Sequence, residues 1–247
     1  MIDTARKTLS LLSDKGPRVL VNEALLRLRM RLPRRYVRLG GCRFDPAVLT
    51  EQALKHLLAG SYEVQERRAL GRLDPDLPLI ELGGGFGVLS CLANRRLTRP
   101  ADHVIVEANP LLLPILERHR VLNGCEFQVL HHAVGYDRDS TEFFVCANPL
   151  ASSCIRPSPR RIEVSTVTLD RIIDRFDAVN VICDIEGAEA ELVKKEQSAW
   201  RKVKTLVLEL HKQVTGAAAV EETVTALVRN HGFHLVERRD DVAVFTH

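Results

Sequence analysis

Cysteine chemistry is the first thing the sequence fails to offer. Its six cysteines (Cys42, Cys91, Cys125, Cys146, Cys154 and Cys183) form no CxxC pair and share no spacing that would mark a zinc site or a disulfide framework. They read as reduced thiols, which predicts a cytoplasmic protein. Long apolar runs are also missing: charges interrupt every stretch well before the roughly 18 residues that a membrane-spanning helix needs. The opening MIDTARKTLSLLSDKG lacks the apolar core and small-residue cleavage site of an export signal. No internal repeat occurs. What is there is ordinary globular composition, 45% hydrophobic and 27% charged over 247 residues, which excludes collagen-like, low-complexity and disordered chains. A chain of this length buries roughly 70% of the surface its unfolded form exposes, so the core needs neither disulfide nor metal to hold it.

The charge is unevenly spread. Residues 1–60 carry 12 Lys/Arg against 5 Asp/Glu, whereas the remainder carries 23 against 27. Residues 17–38, PRVLVNEALLRLRMRLPRRYVR, show a partly amphipathic helical pattern that breaks at Pro33. Two readings fit it: a basic helix for an anionic membrane surface or nucleic acid, and a lid or docking helix with solvated arginines. Few aromatics lie there, which disfavours stacking on single-stranded nucleic acid. Residues 1–59 are accordingly expected to form a basic, mainly helical extension ahead of a domain spanning 60–247.

From about residue 78 short apolar runs alternate with helical segments. Leu79–Leu82, Val104–Glu107, Phe127–Leu130, Val179–Cys183 and Thr205–Leu210 read as strands, with Pro110 opening the helix after the second. That rhythm predicts an α/β fold, a doubly wound, mostly parallel sheet covered on both faces. Phe233–Val236 and Val242–Phe245 across Arg239-Asp240-Asp241 read as a C-terminal antiparallel hairpin. Residues 138–168 break the rhythm: Thr141–Cys146 and Ile162–Thr166 are β-like, and the Pro- and Ser-rich stretch between them is loop. An insertion there would lie over the carboxyl edge of the sheet, where such folds bind ligands.

Four clusters carry chemistry. Glu81-Leu82-Gly83-Gly84-Gly85-Phe86-Gly87 stands at a strand-to-helix junction, where glycines allow a tight turn and close approach of a ligand to the helix start. Val88 stands where a dinucleotide fingerprint requires its third glycine, which disfavours an NAD-linked oxidoreductase. The run fits instead the E/D-x-G-x-G-x-G loop of S-adenosylmethionine enzymes, with Glu81 accepting from the methionine ammonium. Packing alone would also explain a glycine-rich turn. Glu107 ends the next strand, 26 residues after Glu81, at about the distance where an acid binds both hydroxyls of a ribose. Helix capping is the other reading, although Asn109 suits that task better. Asp184-Ile185-Glu186-Gly187-Ala188-Glu189 places three carboxylates at a strand's carboxyl end, with Asp184 the best placed to face a ligand and Glu189 either engaged or solvated. Glu209-Leu210-His211 puts two polar side chains on one face of a strand end, His211 being a general-base candidate or a structural histidine. There is no HExxH, and nothing in these spacings requires a metal.

Taken in order and spacing, residues 60–247 resemble the FkbM family of S-adenosylmethionine-dependent methyltransferases. The likeness rests on Gly60-Ser61-Tyr62-Glu63, Glu81 to Gly87, Glu107-Ala108-Asn109-Pro110, Ala133-Val134-Gly135, Ala151-Ser152-Ser153, Thr168-Leu169-Asp170 and Asp184 to Glu189. The resemblance implies a class I, Rossmann-like methyltransferase fold and O-methylation of hydroxyls on sugars, polyketides and other secondary metabolites. It further implies that Tyr62 and Glu63 cover the cofactor, that Glu81, Gly83, Gly85, Phe86 and Gly87 hold its methionine part, and that Glu107, Ala108 and Asn109 hold its ribose. His132 and Ala133 would lie near the adenine. The chain departs from the usual D-x-G-A-x-x-G form in having Glu81 for the aspartate and Gly84-Gly85 for the Gly-Ala step. The expected chemistry is methyl transfer to a small hydroxylated molecule, with His211 as base, Asp184 and Glu186 orienting the acceptor, and no nucleic acid as partner. A methyltransferase-like binding module acting through its basic amino-terminal arm on an acidic partner or membrane surface is the alternative.

Overall fold

The computed structural model describes residues 34–146, 148–155 and 157–247, together with Leu26, Met30 and Leu32. Most of the basic segment 17–38 therefore lies outside the described residues. Leu26 and Met30 are helical and pack against the core.

Strands β1 (Val37–Leu39) and β2 (Cys42–Phe44) form a small hairpin. Helix α1 (Glu51–Ala59) follows, its start capped by the Thr50 hydroxyl accepting from the Ala53 N–H at 3.2 Å and its end closed by left-handed Gly60. Then come α2 (Val64–Ala69) and the alternating body of the chain. This runs β3 (Leu79–Leu82), α3 (Val88–Asn94), β4 (His103–Val106), α4 (Leu113–Asn123) and β5 (Gln128–Leu130). Strands β6 (Ala133–Val134), β7 (Ser140–Val145) and β8 (Arg160–Val167) make a separate three-stranded sheet. The chain returns through α5 (Leu169–Ile173), β9 (Val179–Cys183), α6 (Glu189–Lys195) and β10 (Val203–Glu209). It ends with α7 (Lys212–Thr215), α8 (Ala217–Arg229), β11 (His234–Arg239) and β12 (Val242–Thr246).

The main sheet has the order β11-β12-β10-β9-β3-β4-β5. Strands β5, β4, β3, β9 and β10 pair in parallel, and β12 runs antiparallel between β10 and β11. This is the α/β, doubly wound architecture that the alternating pattern predicts. Every residue of β3, β4 and β9 is buried, as expected for strands covered on both faces. One face packs on α3, the β1–β2 hairpin and α1; the other packs on α5, α6 and α8 around Trp200 and Phe233. All seven residues of α3 are buried, so residues 37–59 share the core cluster of the sheet.

One local departure from the sequence reading bears on the site. Pro110 does not open α4: the Asn109 side-chain oxygen accepts from the Leu111 N–H at 3.1 Å, making a turn, and the helix starts three residues later with Pro114 in its first turn. The terminal hairpin forms as expected and extends the main sheet, with β12 beside β10 and β11 at the edge.

Sheet order reverses between β3 and β9, since the chain builds outward from β3 to β5 on one side and from β9 to β10 on the other. A crevice opens at the carboxyl ends of such a pair. The ends of β3 and β9 touch there: the Asp184 N–H donates to the Leu82 carbonyl at 2.8 Å, and a Cβ on Gly83 would stand 1.7 Å from the Asp184 carbonyl oxygen. Only glycine fits at position 83, which also has φ of +91°.

Candidate active site

The crevice holds a cavity lined by the glycine loop, by the ends of β4, β9 and β10, and by a strap over 148–153 from the insertion. Tyr62, Glu63, Glu81, Glu107, Asp184 and Glu186 all face it, as do Gly83, Gly85, Phe86, Ala108, Asn109, His132 and Ala133. Gly87 lies one step behind, as the left-handed residue that starts α3. Folding thus brings together residues more than 120 positions apart.

At one end Glu107 is fixed by three backbone amides. Its Oε2 accepts from Gly84 and Gly85 at 3.0 and 2.9 Å, and its Oε1 accepts from Asn109 at 2.7 Å. Burial pushes its pKa up to about 7 against the pull of those three N–H donors. Glu81 is 1% exposed, with Ser90 Oγ donating to one carboxylate oxygen at 2.8 Å and His103 Nε2 paired with the other at 3.0 Å. Ser90 and His103 are partners that the sequence reading did not foresee, because a strand and a helix had to be stacked before they met. Beyond Glu107, the buried Nδ1 of His132 has no hydrogen-bond partner among the described residues. An orphaned buried donor or acceptor costs free energy unless a ligand engages it. That atom, the glycine floor and the Glu107 carboxylate are groups that could hold an adenine nucleoside.

Tyr62 and Glu63 close the cavity from outside the sheet. Glu63 holds a left-handed backbone (φ +41°), as Glu186 does (φ +53°), and strain of this kind on non-glycine residues gathers at functional sites. Burial, joined by the charges of Asp184 and Glu66, pushes Glu63 well above the usual carboxylate range.

The other end is built around His211. Its Nδ1 donates to the Glu189 carboxylate at 2.9 Å; that same oxygen accepts from the N–H groups of Ile185 and Gly187 at 3.0 and 3.2 Å. Glu189, open to a solvated reading from sequence, is 3% exposed and orients the imidazole. The ring's Nε2 lies 3.4 Å from Asp184 Oδ1, 3.8 Å from Glu186 Oε2 and 3.8 Å from Glu209 Oε1. For His211 burial, which alone would lower the pKa, is overcome by the Glu189 hydrogen bond and the surrounding carboxylates, which raise it to about 10. Burial pushes Asp184 up to about 7 and Glu209 up to about 9. Glu209 was legible only as a neighbour of His211, two positions away on one strand face.

The strap joins the two ends. Asn109 Nδ2 donates to the Pro149 carbonyl at 3.0 Å and to Ser152 Oγ at 3.3 Å, and Ser153 Oγ donates to the Glu186 carbonyl at 2.7 Å. Leu150 lies against Gly85, 3.2 Å from where a Cβ would stand.

No protein with a curated description matches the chain. Among solved structures, the precorrin-6y C5,15-methyltransferase of Geobacter metallireducens is 15% identical, with 83% of this chain and 92% of that one covered at a TM-score of 0.43. A ribosomal protein L11 methylase from Lactobacillus delbrueckii subsp. bulgaricus is 12% identical, with 79% and 78% covered at 0.41. An rRNA methylase from Streptococcus thermophilus is 8% identical, with 74% and 93% covered at 0.44. The family model of the methyltransferase FkbM domain matches residues 81–235, more than half of the chain, from the acid before the glycine loop into β11. With those motifs gathered on one crevice, the chain belongs to the FkbM methyltransferase family.

Proposed function

We propose that this protein is an S-adenosylmethionine-dependent O-methyltransferase acting on a hydroxyl of a small molecule such as a sugar, a polyketide or another secondary metabolite. The observation that carries this reading is a single cavity with a nucleoside-fitting end at Glu107 and His132 and a proton-handling end at Asp184 and Glu186, with His211 behind its wall, Nε2 3.4 Å from Asp184. Glu107 accepts from the ribose hydroxyls, its carboxylate already aimed by Gly84, Gly85 and Asn109. Glu81 and the glycine floor receive the methionine part, and Tyr62 and Glu63 cover it. When bound there, S-adenosylmethionine would supply its sulfonium methyl group for transfer to the acceptor oxygen, leaving S-adenosylhomocysteine.

Asp184 and Glu186 orient the acceptor hydroxyl, and together with His211 they form the unit that takes up its proton. Alignment of acceptor oxygen, methyl and sulfur supplies most of the rate in such a displacement. The acceptor end displays Glu66, Asp184, Glu186 and Glu209, with no Lys or Arg among the described lining residues. The lack of a described Lys or Arg to pair with phosphate supports a small acceptor over nucleic acid.

Titration calorimetry with S-adenosylmethionine and S-adenosylhomocysteine, with NAD as control, tests the cofactor assignment. Micromolar binding of the first two and none of NAD is the expected result; failure of both adenosyl compounds to bind rejects it. In a His211→Ala variant, turnover should fall at least a hundredfold while cofactor affinity stays within about twofold. An unchanged rate removes His211 from the chemistry.

A further inference from the structure

We propose that Ser90 and His103 position the Glu81 carboxylate for the ammonium group of the cofactor's methionine part, and so set a preference for S-adenosyl amino acids over adenosyl compounds that lack the amino-acid tail. This role rests on the cofactor reading proposed above.

Three elements build the clamp. Glu81 lies in β3, His103 begins the neighbouring β4, and Ser90 lies in the first turn of α3, which packs on the sheet face that carries Leu79 and Ile105. His103 stands in register with Leu79, two residues before Glu81, so the two polar side chains share that face. Ser90 Oγ donates to Glu81 Oε1 at 2.8 Å, and His103 Nε2 meets Oε2 at 3.0 Å. Both partners are fully buried, so water does not compete for the carboxylate from their side.

The other ring nitrogen gives the direction of the second bond. Asn94 Oδ1 accepts from the Glu126 N–H at 3.1 Å and Asn94 Nδ2 donates to the Pro100 carbonyl at 2.8 Å, which fixes the amide. Its Nδ2 then faces His103 Nδ1 at 3.4 Å. Nδ1 is therefore an acceptor, and the ring proton sits on Nε2, directed at Glu81.

A buried carboxylate needs partners whatever its task. The binding role follows from what the clamp leaves open. Glu81 still lines the cavity beside Gly83, Gly84 and Gly85. Each carboxylate oxygen can accept two hydrogen bonds, and Ser90 and His103 occupy one on each. A glutamate side chain turns about three bonds, and two donors remove that freedom before a ligand arrives. Among the described residues no lysine or arginine lines the cavity, so the positive charge opposite Glu81 is left for the ligand to supply, as an ammonium does.

The test compares S-adenosylhomocysteine with 5′-methylthioadenosine, which carries the same adenosine without the amino-acid tail, by titration calorimetry on the full chain. Wild type should bind the first at least tenfold more tightly. Ser90→Ala and His103→Leu should each lower that preference about fivefold, with affinity for 5′-methylthioadenosine within about twofold of wild type. His103→Gln, which keeps a donor near the position of Nε2, should retain the preference, and Ser90→Ala should add no further loss in a Glu81→Gln background. Circular dichroism checks each fold, and Ser90→Ala, which removes a single oxygen, decides the matter if His103→Leu does not fold. A preference that Ser90→Ala leaves unchanged overturns the clamp's role, as does equal weakening of both ligands, the mark of a purely structural effect. Wild type binding both compounds equally also overturns it and leaves the adenosine end of the cofactor reading standing. Binding of neither compound rejects the cofactor reading and the clamp's role with it.

Discussion

Glu107 shows how one residue gains a function from its surroundings. Three amide donors fix the carboxylate, yet burial raises its pKa to about 7, so its capacity to accept from the ribose we propose it binds changes within the physiological range. Below pH 7 one oxygen carries a proton and can no longer accept from a hydroxyl. Affinity for S-adenosylmethionine, measured calorimetrically, should therefore fall about tenfold between pH 8 and pH 6. A Glu107→Gln variant should bind more weakly at every pH and lose this slope; an identical slope in the variant rules out Glu107 as its source. In the sequence, the 26-residue spacing from Glu81 already singled out Glu107. The sequence could not show that Glu189 aims His211, because a helix start and a strand end more than 20 positions apart meet only in the folded chain.

Among the elements, the insertion between β5 and β9 contributes Pro149, Leu150 and Ser152 to the cavity wall. Its strands β7 and β8 were readable as β-like, but nothing in 148–153 disclosed its contacts. Phe144 and Ser153 bond in both directions, and the Asn109 amide grips Pro149 and Ser152. Removing that amide in Asn109→Ala should cost about 1–2 kcal/mol, each lost hydrogen bond contributing roughly 1 kcal/mol. Limited proteolysis should then cut faster within 146–159, and cofactor should dissociate faster. Equal protease resistance would show that β7 and β8 hold the strap without Asn109. The displaced start of α4 has the same origin: Asn109 uses its side chain to turn the chain and to hold the strap, so the helix begins only at Leu113.

At the scale of the whole molecule, the crevice gathers carboxylates that burial disfavours in their charged form. Glu107 titrates near 7 in the folded chain against an ordinary 4.5, and Glu63 is shifted in the same direction. The native state therefore holds these protons more tightly than the unfolded one. The stabilisation from Glu107 is complete below about pH 4.5 and is lost as pH rises through 7, amounting to up to about 3 kcal/mol. Urea unfolding at pH 5.5 and pH 8 should show wild type losing stability toward pH 8, and Glu107→Gln losing less of it. A difference as large in the variant as in wild type would show that Glu107 does not contribute. In the described residues no helix is long and apolar enough to cross a membrane.

The sequence by itself determined the alternating α/β pattern, the glycine loop, the acids that end β3, β4 and β9, and membership of a methyltransferase family. These are short-range properties, set by periodicity and by residue types at fixed spacings. Tertiary structure decided the rest: the insertion of β12 beside β10, the contact of Gly83 with the Asp184 carbonyl, the burial of Glu189 and the convergence of three carboxylates on one imidazole nitrogen. Each of these depends on which strand ends become neighbours at the point where sheet order reverses. Local sequence does not encode that adjacency, because long-range packing of the two buried faces selects it.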